Sequence, residues 1–124
     1  MKKFTLNNLW LLFWIFISCG TDISDFHNKS FIADTHNDVL LRSMSGRNIL
    51  SDLPESHSDL KKFESGGVDL QVFSIWVSPS EFKGEYFDRA NSMITHLEYL
   101  CSRVPKKWSI PYNYQDIIYN EQRD

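Results

Sequence analysis

The sequence predicts an α/β fold in which parallel strands alternate with helices. Residues 68–77 are rich in β-branched and aromatic side chains on both faces of an extended chain, as in a strand covered on both sides. Residues 85–104 place apolar side chains at three- and four-residue spacing, which is typical of an amphipathic helix. Shorter strand-like and helix-like segments occur before and after this strand and this helix. We therefore expect βαβ units with right-handed crossovers.

The segment before the long strand carries its own strand, loop and helix patterns. A first strand is predicted at residues 29–35, and apolar residues 39–41 continue into a turn or short helix. The polar stretch 42–55 is predicted to be a loop. Ser58 is predicted to cap a helix that starts at Asp59 and ends at the following glycine pair, Gly66-Gly67.

The long helix should bury one apolar stripe and stop at Pro105. The predicted stripe consists of Phe87, Ala90, Ile94, Leu97 and Cys101, widened by Met93, Leu100 and Val104. Residues 108–110 are predicted to be a short third strand, and Asn113 is predicted to cap a final helix. Cys101, as a lone cysteine on an apolar face, is expected to be a small core residue.

The first residues have the pattern of an export signal. Lys2 and Lys3 precede the apolar run 9–17, which is shorter than the roughly 20 residues that span a bilayer. Residues 16–20, Phe-Ile-Ser-Cys-Gly, resemble a bacterial lipobox. We expect residues 1–18 to be a lipoprotein signal peptide, with Cys19 the lipidated residue of an exported protein anchored to a bacterial cell membrane, inner or outer. An ordinary secretory signal, an uncleaved anchor and a cytosolic start are the alternatives.

The remaining chain is then divided into a polar tether, residues 19–30, and one small domain, residues 31–124. The whole chain has 13 basic and 16 acidic residues, a net charge of −3, and no basic patch. Nucleic acid is therefore not an expected partner.

The strongest chemical signal is the pentapeptide Asp34-Thr35-His36-Asn37-Asp38, which follows an apolar run. Residues two apart in a strand share a face, so Asp34, His36 and Asp38 should project together, which places the His36 imidazole beside the Asp38 carboxylate. These groups are suitable ligands for zinc. The alternative is a strand-end histidine hydrogen-bonded to a carboxylate, and Asp34 would be either a carboxylate that orients His36 or a structural hydrogen-bond acceptor. No ligand role is expected for His27, His57 or His96.

Several motifs in order resemble the membrane dipeptidase family, also called renal dipeptidase or peptidase family M19. Asp34-Thr35-His36-Asn37-Asp38 is similar to the family's Asp-x-His-Asn-Asp segment at the end of its first barrel strand. The family's next helix and strand resemble three later segments: His57-Ser58-Asp59-Leu60, Ser65-Gly66-Gly67-Val68 and Gln71-Val72-Phe73-Ser74. The resemblance covers residues 31–122.

The resemblance implies a (β/α)₈ TIM-barrel metallohydrolase that binds two zinc ions and hydrolyses dipeptides. His36 and Asp38 would be ligands of one zinc, and Trp76 would lie near the substrate pocket. The family's bridging glutamate and later histidines have no counterpart in this sequence. We therefore expect the N-terminal βα units of an incomplete barrel, inactive alone and completed by a missing C-terminal barrel half.

Two other interpretations remain open at the level of the sequence. The first is a non-catalytic truncated lipoprotein, or an interaction remnant that pairs with a separate downstream polypeptide. The second is another metal-dependent barrel hydrolase, although that group more often begins with His-x-His, where this chain has Asp38 in the second position.

Overall fold

The computed structural model describes residues 23–121. The chain divides into two compact units, Met1–Ser30 and Phe31–Asp124. In the first, a short helix, α1, spans Ile23–Asn28 inside the predicted tether. The predicted signal peptide and Cys19 lie outside the described residues. Within residues 23–121, no helix combines the length and the apolar character needed to cross a bilayer.

The second unit has α/β architecture around a small parallel sheet. Strand β1 pairs in parallel with strand β2, with two helices between them along the chain, as the predicted βαβ order requires. Its elements are β1 (Ala33–Asn37), α2 (Val39–Met44), α3 (Leu60–Ser65), β2 (Leu70–Phe73), α4 (Tyr86–Arg103) and α5 (Tyr114–Glu121). The two-stranded sheet is compatible with the start of a barrel but does not itself show one.

Both strands are displaced or shortened relative to the prediction. Pairing starts where Leu70 N–H donates to Ile32 O at 3.1 Å, so β1 begins at Ala33 rather than at residue 29. It ends where Ser74 N–H donates to Asn37 O at 2.9 Å, so β2 has four residues instead of ten. Val72 is 47% exposed. The prediction that both faces of this strand are covered is therefore wrong, because the described sheet has no second layer over Val72.

The helix ends show which residues cap the unpaired backbone groups of each helix. The N-cap of α3 is Asp59 rather than Ser58, because the Asp59 carboxylate accepts from Lys62 N at 2.9 Å. Gly67, at φ 64°, ends the helix in a Schellman motif, with Val68 N–H donating to Phe63 O. The predicted cap of the last helix is confirmed, since Asn113 Oδ1 accepts from Asp116 N at 3.1 Å.

The core lies where α2, α3 and α4 meet beside the sheet. Its buried cluster consists of Val39, Leu40, Ile49, Phe63, Met93 and Leu100. On α4 the buried face therefore centres on Met93 and Leu100, whereas Phe87 is 77% and Ile94 46% exposed. The predicted stripe is wrong at these two positions because α4 buries only the face that packs against α2 and its neighbours. Cys101 is half-buried, and burial raises the pKa of its thiol.

Residues 108–110 do not form the predicted third strand. The indole of Trp108 instead packs against two core rings, with centroid distances of 6.0 Å to Phe63 and 5.9 Å to Phe73. The apolar pattern of this segment thus reflects burial of one large side chain rather than strand pairing. The predicted loop at 42–55 also begins later, since α2 continues to Met44.

Candidate metal site at the end of the first strand

The end of β1 contains a bulge that changes how its side chains project. Asp34 pairs with Gln71, and the next paired position joins Asn37 with Phe73. Three steps along β1 therefore match two along β2, which leaves one extra residue in β1. The regular alternation that we used to place Asp34, His36 and Asp38 on one face is wrong for this reason. Asp38 also lies beyond the strand, at the N-cap of α2.

His36 and Asp38 are nevertheless brought together. His36 Nε2 lies 3.5 Å from Asp38 Oδ1, with side-chain exposures of 70% and 60%. This distance exceeds the usual range of about 2.7–3.2 Å for an N–H···O hydrogen bond. Two tetrahedral ligands, each about 2 Å from a zinc ion, lie roughly 3.3 Å apart. The observed separation is therefore compatible with two donors of one ion.

The Asp38 carboxylate makes no capping bond although Asp38 occupies an N-cap position. Its backbone has φ −94° and ψ 4°, in the bridge region rather than the extended region from which an N-cap side chain normally reaches the first turn. Asn37 supplies the bond instead, because its Oδ1 accepts from Val39 N at 3.0 Å. As a result, the Asp38 carboxylate is left free to bind a ligand from solvent.

Asp34 has a structural role in this arrangement. Its Oδ1 accepts from the backbone N–H of His36 at 3.1 Å, not from the imidazole. That bond, followed by a contribution from Gln71, lowers the pKa of the Asp34 carboxyl group. Asp34 thus holds the bulged backbone of His36 in place.

Asn37, whose role sequence reasoning missed, connects the site to its surroundings. The Asn37 amide donates to Ser58 Oγ at 3.0 Å, which ties the end of β1 to the segment that leads into α3. An asparagine side chain readily bonds the backbone N–H two residues further on, and this signal, Asn37 two positions before Val39, was available in the sequence. Asn37 therefore positions both neighbours, His36 and Asp38.

The other residues singled out in the sequence lie apart from this pair or at its margin. Trp76 is 54% exposed and follows Ser74, the residue bonded to the end of β1. His27 and His57 are exposed. The His96 imidazole contacts Ser43 Oγ at 2.7 Å on the side of α4, and burial lowers its pKa.

The donors found here match zinc in type but do not complete a site. Within residues 23–121, no group of three or more histidine, cysteine, aspartate or glutamate side chains could hold a metal ion. A catalytic zinc usually has three protein ligands and one open position. The His36–Asp38 pair can therefore supply at most part of a metal site.

Comparisons with known proteins bear on the same segment. No curated protein and no solved structure gave a significant match to the chain. A family model described as membrane dipeptidase, peptidase family M19, matches residues 21–124. Because this match covers most of the chain, including β1 and both strand-end residues, the protein belongs to the membrane dipeptidase family, peptidase family M19.

Proposed function

We propose that this protein functions in the zinc-dependent hydrolysis of dipeptides, with His36 and Asp38 as the first two ligands of one zinc ion. Membership of the family supports a dipeptidase-type hydrolase. The observation that carries the assignment of residues is the exposed His36–Asp38 pair, 3.5 Å apart, whose carboxylate has been released from helix capping. The parallel β1–β2 pair supports the proposal that these units belong to a (β/α)₈ barrel.

Each residue at the strand end has a distinct task in this proposal. His36 presents the lone pair of Nε2, and Asp38 supplies the negative charge that offsets part of the cation's charge. Asp34 fixes the backbone at His36 by accepting from its N–H, and Asn37 fixes the backbone after Asp38 by accepting from Val39 N–H. Zinc, when bound, polarises the scissile carbonyl and lowers the pKa of a water molecule.

The exposed indole of Trp76 gives the proposal a substrate-facing surface. Trp76 is 54% exposed and lies shortly after the strand that pairs with β1. In a barrel, the residues that follow the carboxyl ends of the strands line the active-site face. Trp76 would then pack against an apolar side chain of a dipeptide.

Zinc binding at the strand end can be tested on the full chain by histidine-selective NMR. Zinc should perturb the His36 ring at lower concentration than the rings of His57 and His27. His57→Ala is the matched control, because His57 is also exposed and precedes a helix. Zinc perturbation that is unchanged in His36→Ala would contradict the ligand assignment.

Hydrolysis is tested on the protein as its own cell produces it, together with any polypeptide that copurifies. Zinc-dependent release of free amino acids from a dipeptide should be lost in His36→Ala and retained in His57→Ala. Zinc binding through His36 without any hydrolysis would favour the non-catalytic alternative.

We also propose that the protein is exported and lipid-anchored through Cys19, which rests on the lipobox-like sequence at residues 16–20. Cells that express the full chain would be labelled with an alkyne-modified fatty acid. The label should be lost in Cys19→Ser and retained in Cys101→Ser, which removes the other cysteine. Equal labelling of both variants would exclude a lipid on Cys19.

A further inference from the structure

A cleft that is separate from the strand end lies between α2 and α4. It has a volume of about 530 Å³, and Ser43, Arg47, His96, Tyr99, Leu100 and Arg103 are among the residues that line it. None of the residues of β1 lines it. Asp38 precedes the first residue of α2, whereas the cleft begins at Ser43 near the opposite end of that helix. We call it the α2–α4 cleft.

The α2–α4 cleft is positively charged in a chain whose net charge is −3. Arg47 and Arg103 line it, and no acidic side chain does. Arg47 Nη1 bonds Glu55 Oε1 at 2.9 Å, which uses one of the five N–H donors of its guanidinium group. Within residues 23–121, Arg103 has no acidic partner. Both guanidinium groups therefore have donors left for a ligand.

Three backbone carbonyls at the adjoining helix ends accept hydrogen bonds. The carbonyl of Arg42 accepts from Ser45 N and Arg47 N, and the carbonyl of Ser43 accepts from Gly46 N. At the end of α4, Cys101 O accepts from Val104 N at 3.1 Å. These bonds satisfy three helix-end acceptors, and the partial negative charge of each helix C-terminus, about half a charge, is smaller than the full charge of a guanidinium group.

The remaining wall of the cleft combines two neighbouring rings with a hydrogen-bonding group. The rings of His96 and Tyr99 stack at 6.3 Å with an interplanar angle of 30°, and Leu100 forms a buried apolar base. Burial lowers the pKa of His96, which favours the neutral form of its ring. When the Ser43 hydroxyl donates to Nε2, the ring proton lies on Nδ1, where it can be donated to a ligand.

We propose that the α2–α4 cleft binds a small oxyanion, a carboxylate or phosphate, carried on a flat apolar group. Arg47 and Arg103 bind the anionic group, and the stacked His96 and Tyr99 rings with Leu100 contact the apolar part. Arginine suits this task because its planar fork matches the geometry of both oxyanions. This site does not depend on the proposed zinc chemistry, since it shares no residue with the His36–Asp38 pair.

The test is a titration of the full chain with phenyl phosphate and, separately, with benzoate and inorganic phosphate. Histidine-selective NMR should show saturable perturbation of His96 and none of His36 or His57. Arg103→Gln should weaken binding about tenfold, the effect of losing a charge-assisted bond. The matched control is Arg42→Gln, which removes an exposed arginine of α2 that does not line the cleft. Comparing phenyl phosphate with benzoate identifies the preferred anionic group.

Three results would overturn the proposal. The first is the absence of saturable binding for both aromatic anions. The second is equal affinity in Arg103→Gln and Arg42→Gln, with far-UV circular dichroism showing that both are folded. The third is binding of benzamide as tightly as benzoate, because an uncharged analogue would then show that the arginines contribute nothing. Inorganic phosphate should bind more weakly than phenyl phosphate, and equal binding would refute the role of the apolar wall.

Discussion

Two aspartates occupy the same kind of position in this protein and are used in opposite ways. Asp38 and Asp59 are the N-cap residues of α2 and α3. The Asp59 side chain is fully buried and accepts bonds from Leu53 N, Lys62 N and the Lys62 ammonium group. Asp38 is mostly exposed, makes no capping bond and lies beside His36.

The difference begins with the backbone. Asp59 is extended, at φ −160° and ψ 172°, which turns its carboxylate toward the N–H groups of the first helical turn. Asp38 lies in the bridge region, and the side chain of Asn37 accepts the bond from Val39 N instead. A capping aspartate whose acceptors are all used is structural. An aspartate that makes no capping bond and lies beside an imidazole, as Asp38 does, remains available for a ligand. This comparison leads to four predictions.

The largest expected effect is on stability at Asp59. Asp59→Ala should lower the free energy of unfolding by about 3 kcal/mol, because it removes a helix cap, leaves the backbone N–H groups of Leu53 and Lys62 without an acceptor and removes the ion pair with the Lys62 ammonium group. Urea denaturation followed by far-UV circular dichroism measures this value. Asp38→Ala, the matched control, should change it by less than about 0.5 kcal/mol. Similar losses in both variants would remove the distinction.

The second prediction concerns the loss of stability at low pH. Burial by itself raises the pKa of Asp59, but the bonds from Lys62 and from the backbone outweigh it and lower the pKa from 3.8 to about 2. A lowered folded-state pKa stabilises the fold above the unfolded value, and this stabilisation is lost as the pH falls through the folded value. The advantage of wild type over Asp59→Asn should therefore shrink by about 2 kcal/mol between about pH 5 and about pH 2. Urea denaturation over this range measures it, and a constant difference would refute the assigned cause.

The third prediction concerns zinc. Asp38→Asn keeps the shape of the side chain but removes its charge, so zinc affinity of the full chain should fall about tenfold, or roughly 1.4 kcal/mol. Competition with a chromogenic chelator measures this change. Asp34→Asn serves as the control, because the Asp34 carboxylate bonds backbone and amide groups of the bulge. A larger zinc effect at Asp34 than at Asp38 would reverse the two roles.

The smallest expected effect is at the residue that replaces Asp38 as the cap. Asn37→Ala removes the bonds to Val39 N and Ser58 Oγ and should cost about 1 kcal/mol of stability. Thermal unfolding measures the loss. Thr35→Ala, a change at an exposed position of the same strand, is the reference. Equal losses in the two variants would show that Asn37 does not cap α2.

Local patterns predicted much of the fold. The glycine pair that ends α3, the Asn113 cap and the extent of α4 depend on short-range backbone chemistry, and all three appear in the structure with small shifts. The length of β2 and the buried face of α4 could not be predicted in this way. Strand length depends on how far β1 continues as a partner, and the buried face depends on where α2 lies.

The candidate site also combines features that the sequence predicted with features that depend on tertiary structure. The identities of His36 and Asp38, and the chemistry they allow, are present in the five residues 34–38. Their proximity was expected from strand alternation, yet it arises from a bulge and a helix start, since a register shift becomes visible only when the partner strand is known.

By itself, therefore, the sequence determined the α/β character, most helix ends and the donor atoms at the end of β1, because these follow from local hydrogen bonding and side-chain chemistry. Tertiary structure decided which of two capping aspartates is buried and satisfied and which is left open to solvent. The physical reason is that burial and strand register depend on residues distant in sequence, here the partners of Asp34 and Asn37 on β2 and the loop residue Leu53 that bonds Asp59.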